Sequence, residues 1–118
     1  MTEISPNNEM NMTAGEVLEA AGALIERELP ETVMLGWISE LDCRVQGEIL
    51  RRDISKIAAV VSESDRLCVP RGYDRVYLLY VKAMAELYRG NAEAYAVASR
   101  AFKDAYAEYA KHCIRSRA

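Results

Sequence analysis

The sequence predicts an all-α domain: a helical bundle with an irregular connector between its second and third helices and a long antiparallel helix hairpin at its C-terminal end. Three observations lead there. Apolar residues recur at three- and four-residue steps through most of the chain. Pro30, Pro70 and Gly90 fall between those stretches, where helices start and stop. The last two stretches are long and only about two residues apart, which makes them antiparallel neighbours.

Residues 1–12 are polar, include a Ser-Pro-Asn-Asn run, and are expected to form a loose arm. Residues 13–118 form the single domain, with a basic tail over about 111–118. Thr13-Ala-Gly-Glu16 is a capping box, in which hydroxyl and carboxylate each satisfy an orphan amide of the first turn. Val17, Leu18, Ala21, Leu24, Ile25 and Leu29 continue it as the first helical stripe. Pro30 ends that helix and suits the opening of the next.

The second helix carries Val33, Met34, Trp37, Ile38, Leu41, Val45, Ile49 and Leu50 on one apolar face. Glu40, Asp42, Arg44, Glu48 and Arg51 are expected largely on the opposite face, and Trp37 in the core. Between Asp53 and Gly72 the pattern fits either helix or strand. A bare loop of that length is improbable in a small domain, so a short strand or helical turn is expected, followed by a Ser-Glu-Ser-Asp turn.

Pro70 holds the entry to the third helix extended, and Asp74 complements its positive end. Val76, Tyr77, Tyr80, Val81, Met84, Leu87 and Tyr88 form its stripe. Gly90 supplies a left-handed cap. The fourth helix runs from Ala92 to about Arg115, roughly 35 Å at the α-helical rise, longer than so small a core requires.

Composition narrows the function. The chain has 118 residues, near the commonest domain size, and can bury about two-thirds of its unfolded surface without staples. No apolar run approaches the ~20 residues of a membrane span, and MTEISPNNEMNM lacks the charged and apolar parts of a secretory signal. Cys43, Cys68 and Cys113 are scattered singly, which fits reduced thiols in a cytoplasm and no zinc knuckle or CxxC site.

Catalytic patterns are missing as well. There is one histidine, His112, with Glu108 one turn before it, and a solvated pair is expected there because a di-iron bundle needs two Glu-x-x-His motifs. No glycine-rich phosphate loop occurs. No catalytic residue, cofactor or metal is expected, and the chain is not read as an enzyme. Seven tyrosines, all beyond residue 72, are expected as core residues with hydroxyls at the surface, some of them at an oligomer contact.

Charge is uneven. Residues 1–60 hold 5 Lys/Arg and 11 Asp/Glu, a balance of −6; residues 61–118 hold 10 and 7, a balance of +3. The sum of −3 disfavours general nucleic-acid binding, which depends on counterion release around cations. It suits contact between one end of a molecule and the other end of a neighbour.

Two patches carry a resemblance. Trp37-Ile38-Ser39-Glu40-Leu41-Asp42 is followed, after a variable middle, by Leu67-Cys68-Val69-Pro70-x-x-Tyr73-Asp74-x-x-Tyr77, then by Tyr88-x-Gly90-Asn91 and an Ala/Tyr/Phe helix. In order and spacing, over roughly residues 33–113, this resembles the small head–tail connector (adaptor, or head-completion) proteins of tailed bacteriophages and prophages. The family-like positions are Trp37, Leu41, Asp42, Val69, Pro70, Tyr73, Asp74 and Tyr77.

The resemblance implies a mostly helical virion protein that forms a ring beneath the portal and carries the next tail-completion protein. It implies a homo-oligomer that binds portal and tail proteins, with no sequence-specific nucleic acid and no membrane. Its setting would be the host cytoplasm during assembly, then the head–tail junction. A ring needs two different patches to meet. The candidate patches are Glu16, Glu19, Glu26 and Glu28 against Arg100, Lys103, Lys111, Arg115 and Arg117. The segment 53–72 and the tail after Tyr109 are the expected contacts with portal or tail components. The alternative is a small non-catalytic helical interaction or regulatory module that binds a partner helix in a groove.

Overall fold

The structure, a computed structural model, describes residues 11–25 and 29–117. Its elements are β1 (Asn11–Thr13), α1 (Ala14–Leu24), α2 (Glu31–Glu48), a 3-10 turn (Ile54–Lys56), β2 (Arg66–Pro70), α3 (Arg75–Tyr88) and α4 (Ala92–Arg117). The chain is mostly helical with a small sheet added to the expected bundle, and the short strand or helical turn expected within 53–72 is present in both forms, as β2 and the 3-10 turn. A two-stranded antiparallel sheet pairs Asn11 with Pro70 and Thr13 with Arg66, with an irregularity between. Asn11 and Met12, expected in a loose arm, are therefore sheet residues.

The sheet forms where side chains reinforce it. Asn11 Nδ2 donates to the Leu67 carbonyl at 2.7 Å, and the Arg66 guanidinium donates to the Asn11 carbonyl at 2.7 Å. From Thr13 the chain turns directly into α1 through the expected capping box, Glu16 N to Thr13 Oγ1 at 3.2 Å and Thr13 N to Glu16 Oε1 at 2.8 Å. The next free amides find carbonyls of the Ser62–Asp65 turn: Ala14 N meets Asp65 O at 2.9 Å and Gly15 N meets Glu63 O at 2.8 Å. Gly15 is needed there, since a Cβ would lie 3.1 Å from the Glu63 carbonyl oxygen.

Helix α1 ends at Leu24, well before Pro30, and Pro30 is the N-cap of α2. Val17, Leu18 and Ala21 of α1 pack against Met34, Ile38, Leu41 and Val45 of α2 and Val76, Tyr77 and Val81 of α3. Phe102, Ala105 and Tyr109 close the core from α4. Trp37 is only half-buried at its edge, where its ring meets Tyr88 edge-on at 6.5 Å.

Helices α3 and α4 form the expected hairpin through Arg89–Asn91. Gly90 takes φ 76°, the left-handed value that a chain reversal needs and glycine tolerates. Contacts between elements fix their directions. Trp37 meets Tyr88, Tyr80 donates to Glu40, and the Tyr106 hydroxyl donates to Glu48 at 2.7 Å. Thus α2 and α4 run parallel, α3 antiparallel to both. Arg89 donates to the Ile25 carbonyl at 2.8 Å, which puts the end of α1 beside the hairpin turn. The ends of α2 and α4 lie together at the opposite pole, beside residues 50–70.

Candidate interaction site

Asp42 was expected on the solvent face of α2 and is instead 2% exposed. It sits one residue after fully buried Leu41, and three donors converge on its carboxyl. Tyr77 Oη donates to Oδ1 at 2.7 Å, the Cys68 amide to Oδ1 at 2.9 Å, and Gln46 Nε2 to Oδ2 at 3.0 Å. Tyr77 in turn accepts from the Val69 amide at 3.0 Å. The two amides on the inner edge of β2 are therefore satisfied by side chains of α2 and α3. An unpaired buried amide would be costly, so this anchoring fixes the strand's position.

Gln46, i+4 from Asp42 on the same helix face, extends the network to the connector. Its amide makes a reciprocal pair with Ala58, Nε2 to the carbonyl at 2.9 Å and the Ala58 amide to Oε1 at 3.1 Å. Arg52 also donates to Oε1, at 2.8 Å. Ser39 Oγ accepts from the Val60 amide at 3.1 Å. Asp65 Oδ2 accepts from the Val61 and Ser62 amides, which hold its carboxyl below the usual range. The connector has few helical or sheet bonds of its own, and side chains of α2 hold its backbone instead.

Burial, with Cys68 and Asp42 adding to it, pushes the Tyr77 hydroxyl far above the ordinary tyrosine value. Burial also raises the Cys68 thiol, with Asp42 contributing. Neither is an activated nucleophile, because burial favours their neutral forms. Among the described residues, no group of three or more His, Cys, Asp or Glu is placed to hold a metal ion. No helix of the described residues is long and apolar enough to cross a membrane.

The connector and the end of α4 enclose an open groove of about 800 Å³. Asp42, Gln46, Arg52 and the stretch Ala58–Val61 form one wall. Tyr109, His112, Cys113 and Ser116 form the other, and Asn11 and Pro70 lie between. His112 is not a solvated partner of Glu108 as expected: its ring stacks on Tyr73 at 4.7 Å, and Tyr73 packs on Tyr109 at 5.3 Å. The two segments expected as partner contacts, 53–72 and the chain beyond Tyr109, thus border one groove. Among the described residues, buried Asn11 Oδ1 has no hydrogen-bond partner.

The family-like positions fall on this unit. Leu41 and Val69 are fully buried, and Pro70 ends β2. Asp74 does not cap α3 with its side chain; its Oδ1 accepts from the Gly72 amide at 2.9 Å and shapes the turn before the helix. Gln46, Arg52 and Asn11 were not singled out by sequence. The i, i+4 step from Asp42 to Gln46 was the one signal available.

The charged candidates are dispersed. Glu16 is committed within its own chain, since the Thr13 amide and Arg71, at 3.0 Å, lower its pKa. Glu19 is exposed on α1, whereas Glu26 and Glu28 lie outside the described residues. Arg100, Lys103, Lys111 and Arg115 are exposed along α4, and the side chain of Arg117 lies outside the description. Arg51, Arg52 and Lys56, counted in the acidic half of the sequence, are exposed at the same pole as Lys111 and Arg115. The cations are therefore more polar in space than along the chain.

Comparisons with protein families, with curated proteins and with solved structures found no match to this chain.

Proposed function

We propose that this chain is a structural head–tail connector of a tailed bacteriophage or prophage, a non-catalytic building block that assembles on the portal and carries the next tail-completion protein. The observation that carries the reading is the Asp42–Tyr77 unit. The two patches on which the resemblance rests meet there and jointly hold β2 and the connector. Folding energy in that unit goes into fixing a surface segment, and the tyrosine and thiol within it are held neutral. The work of such a protein is docking, in the host cytoplasm during assembly and then at the head–tail junction.

Purified chain mixed with the portal protein encoded in the same genome should bind it, and electron cryo-microscopy should show a ring on the tail-proximal face. Failure to bind assembled portal would overturn the reading. The groove favours a second reading, an interaction module that takes one partner helix or strand. A 1:1 complex with a single partner segment, and no ring, would favour that instead.

A further inference from the structure

The two poles of the molecule differ in a complementary way. At the hairpin pole, Leu87 and Tyr88 are exposed, Tyr88 to 67%, and Leu24 lies exposed beside them. Their flanks carry exposed Glu31 and Glu93 at the starts of α2 and α4. Among the described residues, Arg89 at this pole is drawn inward to the Ile25 carbonyl and to buried Glu86. At the groove pole, about 33 Å away along α4, Val61 is exposed to 78% and Ile114 to 60%. Exposed Arg52, Arg66, Lys111 and Arg115 surround them. Of the carboxylates at that pole among the described residues, Asp65 is occupied by its own turn, Asp53 by Ser55 and Glu48 by Arg44 and Tyr106, with Glu63 and Glu108 exposed as further counter-charges.

We infer that the hairpin turn of one copy docks into the groove of the next, with Leu87 and Tyr88 entering between Val61 and the wall formed by Tyr109, His112 and Ser116. The contact is heterologous: two different patches of one chain, opposite in charge at their rims, with Leu87 and Tyr88 on one side and, on the other, a groove that mixes Val61 and Tyr109 with polar Asn11, Gln46 and Ser116. An aromatic anchor within a rim of complementary charge is a composition found in specific interfaces. The groove volume exceeds that of a leucine and a tyrosine side chain together. The inference deepens the connector reading, and rests on it for the ring, by naming the faces through which neighbours meet.

The test uses the full chain and two exposed-site variants, Tyr88→Glu and Val61→Glu, in sedimentation across concentration and salt. Wild-type chain should associate reversibly, more weakly at high salt. Each variant alone should associate at least about tenfold more weakly, as for loss of an interface anchor. Mixed together, the variants should form a dimer and nothing larger, because one intact turn meets one intact groove. Wild-type chain that stays monomeric throughout would overturn the inference. So would variants that associate like wild type, or a mixture that fails to pair. If a glutamate variant melts early, Tyr88→Ser and Val61→Ser give the same reading. Monomeric chain that still binds portal overturns this contact and leaves the connector reading standing. Association as described, without portal binding, does the reverse.

Discussion

The Tyr77 hydroxyl donates to Asp42 Oδ1 at 2.7 Å across 35 residues of sequence. The bond joins α2 to α3 inside the core, and the same two side chains take the amides of Cys68 and Val69. Replacing Asp42 by Ala leaves Tyr77, the Cys68 amide and Gln46 each without that acceptor in a buried setting. A loss of about 3 kcal/mol is expected, from orphaned donors rather than lost volume. Urea unfolding of Asp42→Ala, Tyr77→Phe and the double variant should give a coupling of at least about 1 kcal/mol. Additive losses would mean that the two residues act separately.

Alkaline pH should unfold the protein through its tyrosines. Burial raises Tyr77, Tyr80, Tyr106 and Tyr109, with hydrogen bonds to Glu40 and Glu48 adding to the effect at Tyr80 and Tyr106. Cys68 is raised in the same way. A group raised in the folded state keeps its proton there after the unfolded chain has lost it. Its contribution is thus complete below the unfolded pKa, 9.0 for the thiol and 10.0 for the tyrosines, and is lost as pH climbs beyond it. Tyrosinate absorbance from Tyr77, Tyr80, Tyr106 and Tyr109 should therefore rise together with loss of helical circular dichroism. A single smooth titration, with the fold intact, would contradict this assignment.

The helices were legible because their signals are local. The capping box at Thr13, Pro30 before α2 and the left-handed Gly90 all act within one turn, and each is where the pattern put it. A short strand within 53–72 was among the expectations, but its pairing was not legible, because β1 has three residues and its partner lies more than fifty residues away. What stabilises it is a set of long-range bonds, Asn11 to Leu67 and Arg66 to Asn11, which have no periodicity to read. Asp42 shows the same limit. By type it belongs outside, and only donors from β2, α3 and its own helix make its burial tolerable. The motif spacing located the right residues, while the chemistry joining them required the fold.

Arg51 turns the chain out of α2 with φ 57°, the left-handed region that side chains with a Cβ enter at a cost. Its side chain is exposed, so a glycine there gives up little packing. Arg51→Gly should therefore stabilise the fold by up to about 1 kcal/mol, after the greater freedom of glycine in the unfolded chain is set against the relief of strain. Thermal melting checks this directly. A lower melting temperature would mean that the guanidinium contributes more than the backbone strain costs.

The end of α4 separates a folding role from a docking role. Tyr109 is buried, and His112 and Cys113 are half-buried against Tyr73 and the core, whereas Ile114, Arg115 and Ser116 are exposed. Deleting Ile114–Ala118 removes exposed Ile114, Arg115 and Ser116 and leaves the stacked residues in place. Stability should change by less than about 0.5 kcal/mol, as for other surface changes. The groove would lose Ser116 from its wall, and this pole would lose exposed Ile114 and Arg115, so portal binding should weaken markedly at unchanged melting temperature. Extending the deletion to His112 should lower the melting temperature as well, because the Tyr73 ring then loses its stacking partner. Intact portal binding by the shorter deletion would move the docking surface away from this pole and onto the outward face of α4 that carries Arg100 and Lys103.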